Sequence, residues 1–285
     1  MPETTPTVRR RRLGAELRRL REAAGLTMDE AGKGLERAES TISRIENARN
    51  AIRPLDVRLL LDLYGVTDKR ARAALEALAR DSRKKGWWHT YADLLSPAYS
   101  DLISLEDDAE GVLTFELALV PGLLQTEDYA RAVLTGGRMT AAAEEVETLV
   151  TVRMTRQAVL ARPESPLRLW AIVSEAALRQ QIGGPDVMRA QLRHLVEAAD
   201  RPNVTLQVLP FSAEAHPGSN GPFVVFEFPE STALDVVLLE NLTSSLYLEQ
   251  EPEVRRYTLA YEHLRAIALA PADSRKLIAR AAEET

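Results

Sequence analysis

The chain has no cysteine among its 285 residues. That excludes a disulfide framework, a thiolate nucleophile and a zinc site held by thiolates. No apolar run approaches the ~20 residues of a membrane-spanning helix, so no membrane partner is expected. Arg9 to Arg12 precede the segment LGAELRRLRE, which is far too polar for the core of a secretion signal. A cytoplasmic location is therefore expected. The catalytic signatures HExxH, GxxxxGKS/T, GxGxxG and GxSxG are all missing. The four histidines, His89, His194, His216 and His263, show no metal-ligand spacing. A non-enzyme with no catalytic residue, no metal and no cofactor is the expectation. What is present is the composition of a globular chain: 45% apolar and 27% charged residues.

The net charge of −6 conceals two halves of opposite sign. Residues 1–86 carry 20 basic and 13 acidic side chains, and residues 87–285 carry 16 and 29, giving +7 and −13. Such asymmetry suggests two domains, the first fitted to a polyanion. The break falls at Arg83-Lys84-Lys85-Gly86, which also reads as the basic, glycine-terminated end of a helix. The expected division is 1–86, a basic domain fitted to a polyanion, and 87–285, an acidic domain that would repel DNA and attract a basic partner and that is also expected to carry contacts between copies.

The first part reads as all-α. Leu13, Leu17 and Leu20 share one helix face, and Gly25 ends that helix. Thr27 and Glu30 form a capping box for a short second helix. Ala38, Ile42 and Ile45 line the inner face of a third. A fourth begins near Pro54 and is expected to bury Leu55, Leu59 and Leu63, and a fifth runs from about Thr67 to Lys85. Arg9 and Arg10 are expected to be a solvated helix start rather than an arm on DNA.

Two short helices joined by a tight turn form a helix-turn-helix. Residues 17–27, LRRLREAAGLT, followed by Ser40-Thr41-Ile42-Ser43-Arg44-Ile45-Glu46-Asn47, resemble the phage-repressor and Cro class of DNA-binding domains over residues 10–66. The resemblance implies that the third helix enters the major groove. Glu39, Ser40 and Arg44 would then meet bases, Arg44 by forking onto a guanine. Glu39 equally suits the helix dipole alone. Thr27, Ser43, Asn47, Arg49 and Arg53 would contact phosphates, and capping alone also accounts for Thr27. Phage repressors of this class pair the acid at the Glu46 place with an arginine on the first helix, where Arg21 stands, so a structural ion pair is implied. Three positions depart from the pattern: Met28 for a usual Gln, Ala38 for a hydroxyl cap and Ala48 for a usual Gly.

The rest alternates β-rich runs with helical patterns and reads as mixed α/β. Runs at Gly111–Leu119, Leu167–Val173, Val204–Leu209, Phe223–Phe228, Leu234–Glu240 and Ser245–Leu248 are expected strands. The stretches VPGLLQTEDYAR (120–131), RMTRQAVL (153–160), Gly183-Gly184 with Gln191-Leu192, and Leu209-Pro210-Phe211 with His216-Pro217-Gly218 are similar to the C-terminal domain of actinobacterial regulators of the WhiJ type. That family is antitoxin-like and often encoded beside a small partner protein. The resemblance implies a homodimeric regulator on double-stranded DNA with a near-palindromic operator, its second domain receiving a protein or small-molecule signal. Trp87 and Trp88 either line a pocket or pack as core. Leu124, Gln125 and Tyr129 sit at a Pro121-Gly122 turn, as core or as a partner groove. Arg153 and Arg156 share a helix face and either hold an anion or pair with Glu106–Glu110. His216 is a further ligand candidate. The alternative is an antitoxin-like protein whose main task is to neutralise a neighbour-encoded partner.

Overall fold

The computed structural model describes residues 8–81, 86–137, 142–228 and 235–285. The basic run Arg83–Lys85 and the expected helix and strand starts at Ala141 and Leu234 lie outside them. The described residues fall into two compact units, the first ending at Leu105 and the second formed by Glu106–Phe228 and Asp235–Thr285.

The first unit contains α1 (Val8–Ala23), α2 (Met28–Gly34), α3 (Glu39–Glu46), α4 (Pro54–Leu63) and α5 (Lys69–Asp81). A short 3-10 helix, Trp87–Tyr91, and most of α6 (Pro97–Asp108) follow. The core joins Leu13 and Leu17 of α1, Ile42 and Ile45 of α3, Val57, Leu60 and Leu61 of α4, and Leu75 and Leu78 of α5. Gly14 sets the closeness of α1 and α3. A Cβ there would stand 2.6 Å from the Glu46 carbonyl oxygen and 2.7 Å from that of Ile45.

Three expectations are overturned. Ala38 does not line the inner face of the third helix: it is the exposed, extended N-cap residue before α3 begins. α4 does not bury Leu55, Leu59 and Leu63; its inner face is Val57, Leu60 and Leu61, and the three expected leucines are exposed. Six apolar side chains in ten residues fit either face, and packing against α1 and α5 chooses between them. Arg9 is not solvated either. It is buried with its guanidinium over the Trp88 ring at 5.7 Å, and Arg12 is buried too. Arg11 reaches Asp101 of α6 at 3.5 Å. The aliphatic stems of these arginines cover apolar surface while their heads find π and carboxylate partners.

The second unit is a six-stranded mixed sheet of order β3-β2-β1-β4-β5-β6. The strands are β1 (Gly111–Glu116), β2 (Arg168–Ser174), β3 (Val204–Leu209), β4 (Phe223–Glu227), β5 (Val236–Glu240) and β6 (Ser245–Leu248). β1, β2 and β3 are parallel, and β4, β5 and β6 continue antiparallel. β1 stops at Glu116, three residues before the expected end. α7 (Glu127–Gly137) and α8 (Ala143–Arg156) link β1 to β2, with a 3-10 turn over Gln157–Ala161. α9 (Glu175–Arg179) and α10 (Pro185–Ala198) link β2 to β3. α11 (Glu251–Ile267) lays Val254, Tyr261 and Leu264 over Leu113, Phe115, Phe223 and Val237 of the sheet. α12 (Pro271–Glu284) packs on α10 and on β3. At β3, Val208 N–H donates to Ser274 Oγ at 2.9 Å and its carbonyl accepts from Leu269 N–H at 2.9 Å, which closes that edge. An all-α region followed by a mixed α/β region is the architecture.

Candidate functional site

α2 and α3 form the helix-turn-helix, and local chemistry fixes their ends. Thr27 Oγ1 accepts from Glu30 N–H at 3.2 Å while Thr27 N–H donates to Glu30 Oε2 at 2.8 Å. The Thr27 hydroxyl also donates to Glu30 Oε2 at 2.8 Å, so its proton is used within the cap. The Thr27 N–H holds the Glu30 carboxyl below its ordinary pKa. Gly32 is needed at the turn: a Cβ there would stand 2.8 Å from the Arg37 carbonyl oxygen. Glu36 takes a left-handed φ of 53° in that turn, and Ala48, just past α3, one of 59°. The N-cap of α3 is Ala38, with no side-chain hydrogen bond.

α3 turns Ile42, Ile45 and Glu46 inward and leaves Glu39, Ser40 and Arg44 exposed. Ser43 is half-buried, and its carbonyl accepts from Asn47 Nδ2 at 2.8 Å, which ties down the helix end. Arg49 is exposed, and its N–H donates to the Arg44 carbonyl at 2.8 Å. Glu46 faces back to α1. Arg21 grips it with two hydrogen bonds, Nε to Oε1 at 2.7 Å and Nη2 to Oε2 at 2.9 Å, and donates a third from Nη1 to the Leu26 carbonyl at 2.7 Å. The Glu46 hydrogen bond raises the Arg21 pKa. Burial, with Glu46 nearby, pushes the Tyr64 hydroxyl upward too.

Among the described residues, unpaired cations occur on α5, at Lys69, Arg70 and Arg80, as well as in and beside α3. Lys33 pairs with Asp29, Arg53 with Asp56, Arg58 with Glu76 and Arg72 with Asp62. Among the described residues, Arg37, Arg44 and Arg49 make no ion pair, and they bracket α3. Arg37 was not singled out by sequence reasoning. Its place in the turn directly before α3 was the available signal.

In the second unit three of the four stretches singled out in the sequence, those at 120–131, 153–160 and 191–192, converge on one buried loop, 120–126. Tyr129 OH accepts from Val120 N–H at 3.2 Å, and Gln125 Nε2 donates to the Val120 carbonyl at 2.8 Å. Gln157 Nε2 donates to the carbonyls of Gly122 and Gln125 at 3.1 and 2.8 Å. Gln191 accepts from Thr126 N–H and donates to the Leu124 carbonyl, both at 2.7 Å. Arg153 Nη1 donates to Gln125 Oε1 at 2.9 Å. Irregular backbone can be buried only when its polar groups are met, and these side chains meet them. Leu124 and Tyr129 are interior, as is Gln125. Arg156 is buried against Gly122, where a Cβ would collide with its Nη2.

Beside this loop lies a charge cluster. Arg156 Nε approaches Glu106 Oε2 at 3.5 Å, looser than the Arg21–Glu46 grip. Among the described residues, Glu106 Oε2 accepts no hydrogen bond. Burial pushes the Glu106 carboxyl up to about 7, with Arg156 opposing and Glu240 adding. Burial and Glu240 push Glu116 up to about 8. The other two sets of sequence candidates lie apart from the cluster. Trp87 and Trp88 belong to the first unit, where they meet edge to face at 5.9 Å. His216 meets Phe115 edge to face at 6.2 Å, and its buried Nδ1 has no hydrogen-bond partner among the described residues.

Comparison with protein families joins these two arrangements. Residues 99–280, more than half of the chain, match a domain of unknown function, DUF5753. The chain belongs to the DUF5753 family. Residues 12–75 match a helix-turn-helix domain, which suggests a DNA-binding regulator. No curated protein and no solved structure matches it. The DUF5753 match takes in the whole pinned loop and the charge cluster, from Glu106 to Glu240.

Proposed function

We propose that the protein is a sequence-specific transcription regulator of the WhiJ type, acting as a homodimer on a near-palindromic operator. Residues 1–86 are its DNA-binding domain, and residues 87–285 receive a protein or small-molecule signal. The observation that carries this reading is α3, an exposed helix with an unpaired Arg44, flanked by the unpaired Arg37 and Arg49. Arg44 reads a guanine, with Glu39 and Ser40 on neighbouring base edges, at ~1–3 kcal/mol for a bidentate pair. Ser43, Asn47, Arg49 and Arg53 hold phosphates, and Thr27 joins them by turning its hydroxyl proton from Glu30 to a phosphate. Arg53 must leave Asp56 to do so, an exchange that costs little, because exposed pairs are worth ~0.2–1 kcal/mol.

Fluorescence anisotropy on the DNA upstream of its own gene, at two salt concentrations and against random competitor, tests the reading. Specific binding that weakens steeply with salt is expected. Arg44→Ala is expected to abolish specificity without unfolding the chain, and retained operator affinity in this variant rejects α3 as the reading element. A second reading is favoured by the −13 charge of residues 87–285, which suits a basic partner. In it the protein chiefly binds a small protein encoded nearby, and DNA binding only regulates its own gene. Many genomic sites support the first reading, and a single site beside the gene supports the second.

A further inference from the structure

α4 is apolar on two sides. Val57, Leu60 and Leu61 face the core, while Leu55, Leu59 and Leu63 are 57%, 44% and 40% exposed. The spacing of four places these three leucines in one line along the helix. Single exposed leucines are ordinary, whereas a continuous stripe on a ten-residue helix marks a contact surface.

We propose that this stripe is where two copies of the chain meet, α4 against α4 in antiparallel fashion, with a two-fold axis at Leu59. The proposal rests on the reading of the first unit as half of a DNA-binding dimer. Three observations select a second copy. The stripe is symmetric about Leu59, so Leu55 of one copy meets Leu63 of the other, leucine against leucine throughout, as an isologous contact requires. The charges flanking Leu59 are already neutralised within the chain: Arg58 with Glu76 at 2.7 Å and Asp62 with Arg72 at 2.5 Å. Such a face offers nothing to a charged partner or to nucleic acid, and it suits an equally neutral apolar one. The surface is also small. Three partly exposed leucines fall far short of the ~800 Å² per partner of a stable interface. The contact is therefore weak in free protein and acts when two half-sites bring two copies together, where a high effective concentration replaces area.

The absence of cysteine makes the test direct. Leu59→Cys places a single thiol at the proposed axis, and Leu259→Cys places one on a leucine of the second unit that is more exposed, at 60%. Both full-length variants are treated with a short bis-maleimide at ~1 mM protein, where a millimolar contact is populated. No DNA is present, so a failed DNA reading leaves the result unaffected. Leu59→Cys is expected to give covalent dimer about tenfold faster than Leu259→Cys, by local effective concentration. Adding Leu55→Glu and Leu63→Glu is expected to bring it to the control rate with an unchanged circular dichroism spectrum. Equal rates for the two thiols overturn the proposal. A faster Leu259→Cys reaction overturns it as well, and places the contact between copies on the second unit.

Discussion

Removing the Glu46 carboxylate tests what holds α3 to the rest of its unit. In Glu46→Ala, the Arg21 guanidinium stays in place with a side chain only 6% exposed and keeps the Leu26 carbonyl as its hydrogen-bond acceptor, with the half-exposed Glu22 carboxylate 3.6 Å away as a poor substitute for the lost partner. A buried charge that loses its partner costs ~3–5 kcal/mol. The folded state of a domain is worth ~5–15 kcal/mol, so a third or more of the stability is at stake. Arg21→Ala costs less, since the carboxylate it strands can take up a proton at a modest penalty. The double variant Arg21→Met with Glu46→Leu removes both charges and fills the space with carbon, and apolar replacement of buried pairs is often neutral. The double variant is therefore expected to be more stable than Glu46→Ala. Native-state hydrogen exchange on peptides of α1 and α3 reads this unit without contribution from the second. A loss below ~1 kcal/mol in Glu46→Ala would match an exposed pair and refute the argument. So would a double variant as unstable as the two single losses added, because coupled sites are not additive.

Gly14→Ala is expected to lower the melting temperature, although alanine is the better helix former by ~1 kcal/mol. The new Cβ meets two backbone carbonyls at 2.6 and 2.7 Å, which have no rotamer to escape into, and a thermal melt decides the sign. Glu36→Gly is expected to stabilise the turn by up to ~1 kcal/mol, because an exposed non-glycine residue at φ 53° carries left-handed strain; unchanged urea unfolding would deny it. The second unit is expected to lose stability as pH rises. A carboxyl whose folded pKa is raised, as for Glu106 from 4.5 to about 7, favours the folded state fully below pH 4.5 and loses that contribution as pH climbs through 7. The shift corresponds to roughly 3 kcal/mol at 1.36 kcal/mol per unit, and Glu116 extends the window to about 8. Hydrogen exchange of β1 and β2 against pH checks this, with Glu106→Gln flattening the slope.

What the sequence reveals about this chain follows the range of the interactions involved. The ends of α2 are legible because a threonine and a glutamate three residues apart cap the helix between themselves. The strands are legible from β-rich runs, and β1 ends early only because Leu117 to Leu119 have no partner strand. α4 is misread because six apolar residues in ten satisfy two faces at once, and only α1 and α5 decide which face goes inward. Arg9 looks solvated until Trp88, nearly eighty residues away, is laid under it.

The second unit shows the same limit in its functional region. Its odd stretches are conspicuous as residue types, yet nothing in their spacing says that Gln157 and Gln191 hold carbonyls and an amide of the loop at 120–126 from 32 to 67 residues away. The result also separates the two buried ion pairs. Arg21–Glu46 is closed: three hydrogen bonds, 2.7 to 2.9 Å, engage every nitrogen of the guanidinium. Glu106–Arg156 is open: a 3.5 Å approach, a carboxylate oxygen with no hydrogen bond among the described residues, and two carboxyls displaced toward neutral pH. A pair of the first kind fixes a helix. A pair of the second kind leaves a buried group poised between two charge states. The two pairs thus differ in how fully their charges are compensated, the first within the helix-turn-helix and the second within the DUF5753 region.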